Sequence, residues 1–194
     1  VQSFEAAYGL LQNAGGTVVM LSSVTYSKVT TLPACDYPVT VTSKTGAEGI
    51  CSNSHIIVGG DTTFRNMSFT LLKASTGTTI CGGGHKLVMD EGITVNPFVN
   101  DTDAYYFCLE GGNPNAAVDS TDLTVKSGQY RYIYAGGYTR NVTGDVKLTM
   151  TGGITANLAA TRTGTISGDV EMAFSGTAKV TGNIYGGAAT SGKL

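Results

Sequence analysis

Two neighbouring segments of the chain repeat one pattern at a step of about two dozen residues. Residues 139–153 read TRNVTGDVKLTMTGG and residues 161–176 read TRTGTISGDVEMAFSG, so each contains Thr-Arg, Gly-Asp-Val and an alternating run. Strand-like runs recur through the rest of the chain at a mean step of about 22 residues, as in TVVML, PVTVTS, MSFTLL, KLVMDEG, YYFCLEGG and DLTVKSG. A repeat of this length made of short strands predicts a β-solenoid with two or three parallel sheets.

The alternation inside the repeat predicts which side chains face the core. Val146, Leu148 and Met150 are expected to point inward, and Val170, Met172 and Phe174 to repeat this set on the next coil. The register then places Lys147 beside Glu171 on the outer face, where opposite charges on adjacent strands attract.

The composition agrees with many short strands. The chain has 27 glycines and 4 prolines in 194 residues and only 13% charged residues, which disfavours a helical bundle. An antiparallel sandwich is the rival fold, but the Asn-Gly and Asp-Gly dipeptides typical of tight hairpins are absent. One amphipathic helix is predicted at residues 3–14, with Ser3 as its N-cap, and it is expected to cover the open end of the solenoid core.

Several segments resemble known sequences. FEAAYGLLQNAGGTVVML, PVTVTSKTGAEGI and FRNMSFTLL resemble the start of a pectin-lyase-like parallel β-helix, and YIYAGGYTRNVTGDVKLTM and VTGNIYGG resemble repeats of Gram-positive cell-surface proteins. The resemblance implies an all-β, right-handed, single-stranded parallel β-helix of about nine coils. It would form one domain over 1–194, with the capping helix at 3–14 and coils over 17–194, excised from a larger secreted or wall-attached protein.

Charge and hydropathy exclude some classes of partner. The net charge is −2 and the four arginines do not cluster, so no nucleic-acid partner is expected. No apolar run approaches the ~18 residues of a membrane span.

Catalytic and metal-binding patterns are weak. CGGGHKL places His85 after Gly84, as in the polygalacturonases of this fold class, but Lys86 replaces the second glycine and no Asp-Asp pair is present. Loop carboxylates that a calcium ion could use are expected to serve in turns instead; they are Asp90, Glu91, Asp101, Asp103, Asp119 and Asp122. We predict neither cofactor nor metal.

The four cysteines leave alternatives open. Cys35 with Cys51 and Cys81 with Cys108 could form disulfides between coils, or all four could be small buried side chains. The two Cys-x3-His pairs, which contain His55 and His85, have the residue types of a four-ligand metal site.

The tyrosines provide the clearest candidate site. QYRYIYAGGYTR places Tyr130, Tyr132 and Tyr134 on one strand face by period two, with Tyr138 and Arg140 at its edge. If this face points outward, the rings form a platform for sugars; if it points inward, they line the core.

We therefore expect a non-catalytic, structural or adhesive module of an extracellular or cell-wall-attached bacterial protein that binds glycans or host-surface components. The alternative is a polysaccharide lyase or glycoside hydrolase, which requires two facing carboxylates.

Overall fold

The protein is a parallel β-solenoid in a computed structural model that describes residues 3–72, 79–96 and 107–191. The strands of the first sheet are β1 Gly16–Met20, β4 Val39–Ser43, β7 Thr62–Arg65, β10 Lys86–Met89, β13 Thr121–Val125, β15 Val146–Met150 and β17 Val170–Phe174. Those of the second are β2 Val24–Tyr26, β5 Gly49–Ser52, β8 Met67–Leu71 and β11 Ile93–Asn96. The third contains β3 Thr30–Thr31, β6 Ile56–Ile57, β9 Thr79–Cys81, β12 Cys108–Glu110, β14 Gln129–Tyr134, β16 Ile154–Thr161, β18 Lys179–Val180 and β19 Ile184–Ala188.

Every coil-to-coil pairing in the described sheets is parallel, so the predicted all-β solenoid is confirmed and the antiparallel sandwich was the wrong alternative. The number of coils, however, was overestimated. The first sheet has seven strands, which corresponds to about six turns rather than nine. One overcount arose because the run YYFCLEGG, whose described strand is β12, belongs to the third sheet of the coil that the run from Lys86 had already represented.

The repeat step is regular in the first sheet. Its strands begin at residues 16, 39, 62, 86, 121, 146 and 170, so the step is 23–25 residues except for the 35 residues of one longer coil. That coil contains residues 97–106, which lie outside the described part of the chain. The predicted strand from Tyr105 begins among them.

The predicted register of the opening repeat is confirmed residue by residue. Val146 pairs with Val170, Lys147 with Glu171 and Leu148 with Met172. Lys147 belongs to a longer row, because Lys86 pairs with Asp122 and Asp122 with Lys147. Charge alternates along this outer row, and opposite charges on successive strands favour the observed register.

Aromatic rings form a continuous row inside the solenoid. The row consists of the rings of Phe64, Phe69, Phe107 and Tyr130. The centroids of consecutive rings are 5.4, 5.2 and 6.0 Å apart. All four side chains are buried. Rings at these distances pack favourably in tilted and edge-to-face geometries, so the row ties neighbouring coils together through the core.

The capping helix is shorter than predicted. Helix α1 spans Phe4–Gly9, and tighter turns continue the chain to Gly15, so residues 3–14 are not one helix. Ser3 is the N-cap and accepts a hydrogen bond from the Ala6 amide, as expected. Tyr8 is fully buried, and its hydroxyl lies 2.6 Å from Thr62 Oγ1, which anchors the helix over the core.

Candidate functional site: an aromatic groove along the third sheet

A groove of about 690 Å³ runs over the outer face of the third sheet. One row of side chains on successive coils lies along it. Cys108 pairs with Thr79 on one side and Tyr132 on the other, and Tyr132 pairs with Asn157. The register extends the row to His55 and Asn183, which precede β6 and β19. The six positions are separated by five steps of ~4.8 Å, so the row is about 24 Å long along the solenoid axis.

The row faces the groove because the strands alternate. Ile80, Leu109, Ile133 and Leu158 are fully buried on the core side, so their neighbours along each strand point outward. Parallel stacking of identical coils thus places one side chain every ~4.8 Å on a nearly flat surface. Such a surface suits a linear polymer better than a compact ligand.

Three tyrosines form a ring cluster at one side of the groove. Tyr132 and Tyr134 stack with centroids 5.7 Å apart and planes 8° apart, and Tyr138 packs edge-on against Tyr134 at 5.1 Å. Tyr134 is buried between its two neighbours, whereas Tyr132 and Tyr138 are half-buried and keep surface towards the groove. Burial raises the pKa of the Tyr134 hydroxyl. Tyr134 therefore stays neutral over the physiological range, and the cluster presents apolar faces with polar edges.

Two arginines give the groove a positive charge. The Arg162 guanidinium lies 4.5 Å from the ring centroid of Tyr138 and donates a hydrogen bond to its hydroxyl. Arg131 lies 5.7 Å from the centroid of Tyr132. No Asp or Glu is among the described residues that line the groove. The groove thus combines ring faces with cationic groups and is complementary to an anionic ligand.

The structure brings together three of the five residues that the sequence singled out. Tyr132, Tyr134 and Tyr138 line the groove, but Tyr130 does not. Tyr130 points into the core, where its hydroxyl donates to the Ser127 carbonyl at 2.8 Å. The period-two prediction was wrong at this position because Tyr130 and Ile133, three residues apart, both point inward, so the strand changes face between them.

Arg140 was also misplaced by the sequence argument. Its side chain is exposed, it is not among the residues that line the groove, and its Nε donates to the Pro114 carbonyl at 3.3 Å. Arg162 lies beside Tyr138 instead, because the amides of Arg162 and Thr163 bond to the carbonyls of Gly137 and Tyr138 on the previous coil. The two Thr-Arg pairs are not stacked on each other: Val146 pairs with Val170, so the coil step here is 24 residues, and Gly164 rather than Arg162 lies over Arg140.

A buried carboxyl group lies beneath the groove. Glu110 is completely buried, its Oε1 accepts a hydrogen bond from the Tyr138 amide at 2.8 Å, and the Cys81 thiol lies 3.6 Å from its Oε2. Burial raises the pKa of Glu110 to about 7. No sequence pattern pointed to this residue, because LEGG is typical of an ordinary strand end.

The other candidate sites are not assembled. The four cysteines carry free thiols, and among residues 3–72, 79–96 and 107–191 no group of three or more His, Cys, Asp or Glu could hold a metal ion. The disulfide alternative and the Cys-x3-His metal site are therefore not seen. His55 lies in the groove, and its Nδ1 is buried without a hydrogen-bond partner among the described residues.

The turn and loop carboxylates serve structural roles where they are described. Asp90 pairs with Lys126 at 3.0 Å and Asp122 with Lys86 at 3.7 Å. Asp145 accepts the amide of Asp169 on the next coil at 2.9 Å, which confirms the predicted turn role of the Gly-Asp pair. The suggested calcium ligands Asp101 and Asp103 lie outside the described residues.

Comparison with known proteins gives no family for the chain: no family profile, no curated protein and no solved structure matches it significantly. Within the described residues, no helix has the length and apolar character needed to cross a bilayer. The function is therefore argued from the groove.

Proposed function

We propose that the protein is a non-catalytic β-helix module that binds an extracellular glycan along the third sheet. The observation that supports this most directly is the groove in which stacked Tyr132 and Tyr134, Tyr138 and Arg162 adjoin a row of outward side chains on successive coils. Aromatic faces pack against the apolar faces of sugar rings, and flanking polar groups bond to their hydroxyls.

The shape of the groove favours an extended chain of sugars. Its floor repeats once per coil, and Asn157 and Asn183 add amide groups to one end of the row. Asparagine provides both donors and an acceptor, which suits ligands with many hydroxyl groups. A linear polysaccharide laid along the axis would contact several coils in turn.

The charge of the groove selects among glycans. Arg131 and Arg162 both contribute to the lining, and guanidinium groups bind carboxylates in a bidentate manner. The ligand class that fits best is a glycan bearing carboxylate or sulfate groups. A neutral glycan of the same length would keep the stacking but lose the charge attraction.

The described lining favours binding over cleavage. Hydrolysis with retention or inversion uses two carboxyl groups about 5–10 Å apart on either side of the scissile bond. The described lining of the groove contains no such pair, and the Glu110 carboxyl group is completely buried and bonded to the Tyr138 amide. A lyase or glycoside hydrolase remains the alternative that the assay below distinguishes.

The proposal also includes the location of the protein. A glycan-binding solenoid suits a secreted or wall-attached protein of a Gram-positive bacterium, where it would act as a spacer or adhesive segment beside other domains. The repeats that resemble such surface proteins support this setting, as do the flat outer faces of the coils.

The experiment is a glycan array followed by calorimetry with one pair of probes. Oligogalacturonate carries a carboxylate on every ring, and its fully methyl-esterified form has the same rings without the charge. We expect the charged probe to bind at least about tenfold more tightly, as one or two arginine–carboxylate contacts would provide. Equal affinity for both would contradict the charge argument, and absence of binding by all arrayed glycans would contradict the proposed function.

Cleavage is tested on the same samples. Products are followed by reducing-end assay and by absorbance of unsaturated uronates, which separates hydrolysis from elimination. Binding without products supports the module, whereas products that disappear in a Tyr132→Ala variant would establish the enzyme instead.

A further inference from the structure

Backbone hydrogen bonds between coils hold much of the segment around Tyr138. Ala135 and Gly136 donate their amides to the carbonyls of Ala159 and Ala160 on the next coil. The carbonyls of Gly137 and Tyr138 accept the amides of Arg162 and Thr163 at 3.2 and 3.1 Å. The Tyr138 amide instead donates to a side chain, the carboxyl group of Glu110.

Glu110 thus completes the coil-to-coil bonding at the point where the groove tyrosine is attached. Its Oε1 lies 2.8 Å from the Tyr138 nitrogen, a normal hydrogen-bond length. A buried or half-buried amide that loses its acceptor costs about 1–3 kcal/mol. Without Glu110, the segment that carries Tyr138 would have to move to find another partner.

The rest of the cluster depends on the position of Tyr138. Its ring packs on Tyr134 at 5.1 Å and lies under the Arg162 guanidinium at 4.5 Å. A shift of the Tyr138 backbone would therefore change both the aromatic surface and the direction of the cation. Glu110 is connected to the groove through this one amide.

We propose that Glu110 is a positioning residue that fixes Tyr138 in the groove through the Tyr138 amide and makes this bond responsive to pH. The inference rests on the proposed function for its effect on ligand binding, but the link between Glu110 and Tyr138 can be measured without ligand. A buried carboxyl group without an ion-pair partner in the described chain is the kind of group that changes its proton near neutral pH.

The groups that face Glu110 determine how it responds. The titratable neighbours of Glu110 are Cys81 on β9, Cys108 on the same strand and Tyr134 on β14. Tyr138, which follows β14, and Arg162, which lies over the Tyr138 ring, are the next groups along the groove. Burial raises the pKa of both thiols, so they stay protonated when Glu110 ionises. The ionised carboxylate forms the stronger, charge-assisted bond with the Tyr138 amide.

Two variants with side chains of similar size show whether Glu110 acts through its hydrogen bond to Tyr138 or only by filling space. Glu110→Gln keeps an oxygen that accepts the Tyr138 amide, whereas Glu110→Met fills the site without an acceptor. We expect Glu110→Gln to retain the affinity for oligogalacturonate within about twofold and Glu110→Met to lose about tenfold, since one hydrogen bond to the groove segment is removed. Equal affinities of the two variants would overturn the proposal.

Amide exchange of Tyr138, measured by NMR on the full chain, gives the ligand-free result. Protection is expected in the wild type and in Glu110→Gln, with exchange about tenfold faster in Glu110→Met. The Tyr138 amide shift should titrate with a midpoint near 7 in the wild type and stay flat in Glu110→Gln. No such titration, or unchanged protection in Glu110→Met, would contradict the inference even if the probe binds.

The two proposals can fail separately. If the amide results hold and no glycan binds, Glu110 still positions Tyr138 and the proposed function is wrong. If oligogalacturonate binds and the Gln and Met variants behave alike, the function stands and the role of Glu110 is wrong. Glu171→Gln, which removes an exposed carboxylate on the first sheet, is the control for the change in charge.

Discussion

The rings of Tyr132 and Tyr134 are stacked, with centroids 5.7 Å apart and an angle of 8° between the ring planes, although the two residues belong to one strand. Side chains two apart on a strand share a face, so the stack follows from the alternation of β14. Tyr138 closes the stack from the side at 5.1 Å from Tyr134. The result is a rigid aromatic surface that needs no rearrangement to receive a ligand.

Replacing Tyr132 with alanine should weaken binding of the acidic oligosaccharide. A stacked aromatic contact contributes about 1 kcal/mol, so we expect a loss of about fivefold in affinity by calorimetry. Tyr37→Ala is the matched control, because Tyr37 is 53% exposed and lies outside the groove. The same loss in both variants would mean that the effect does not come from the groove.

Replacing Arg162 with glutamine should reduce selectivity for charge. The ratio of affinities for oligogalacturonate and its methyl ester should fall about tenfold, because a charged contact is lost while the stacking remains. Arg140→Gln changes the neighbouring arginine of the repeat, which lies outside the groove, and should leave the ratio unchanged. If the ratio of affinities fell in Arg140→Gln but not in Arg162→Gln, the ligand would bind outside the groove.

Glu110 should make the unfolding free energy depend on pH. Its pKa is about 7 in the folded chain against an ordinary value of 4.5, so the native state binds the proton more tightly than the unfolded state. The stability is therefore complete below about pH 4.5 and falls by about 3 kcal/mol as the pH rises to about 7 and above. Chemical denaturation at a series of pH values measures this slope.

The Glu110→Gln variant isolates this contribution from other groups. The unfolding free energy of the variant minus that of the wild type should be smallest near pH 5. This difference should grow by about 2–3 kcal/mol towards pH 8, because glutamine never ionises. All other titrating groups are shared by the two proteins. A constant difference across this range would show that Glu110 does not titrate as described.

Phe69→Ala should be strongly destabilising. Phe69 is the second ring of the buried row and contacts both Phe64 and Phe107. Removal of a buried phenylalanine costs about 3–5 kcal/mol. Phe174→Ala in the last coil, where the ring is 42% exposed, should cost much less in the same denaturant titration. Equal losses would argue against the row as the centre of the core.

Tyr8→Phe tests how the helix is anchored. The Thr62 hydroxyl donates to the Gly60 carbonyl at 2.8 Å, so the Tyr8 hydroxyl is left to donate to Thr62. Losing this buried bond should cost about 1 kcal/mol of unfolding free energy. Tyr37→Phe, at an exposed tyrosine, should change the stability by less than about 0.5 kcal/mol.

Much of the fold could be predicted because the repeat is encoded locally. Val146, Leu148 and Met150 indicate both the inward face and the register, since an error of one residue would expose all three. The number of coils was harder to predict, because the sequence of a strand-like run does not show which of the three sheets the strand joins. The run YYFCLEGG was counted as a separate coil for this reason, although its strand β12 belongs to the coil that begins with β10.

The site was predicted only in part. Tyr132, Tyr134 and Tyr138 could be found because they are concentrated in one short segment. Tyr130 was wrong because the strand changes face within β14, and no residue in QYRYIY indicates this change. Arg140 was wrong because the stacking of the next coil places Arg162 beside Tyr138. Arg162, His55 and Asn183 come from coils far apart in the sequence, so only stacking could bring them to one groove.

The sequence by itself determined the parallel solenoid, its register and the short helix at its start, because these depend on alternation, glycine turns and a repeat step that each coil carries within itself. The tertiary structure decided which side chains share the groove and that Glu110 is buried beneath Tyr138. The physical reason is that neighbours across coils are about 24 residues apart in the chain, so their contact is set by stacking rather than by local pattern.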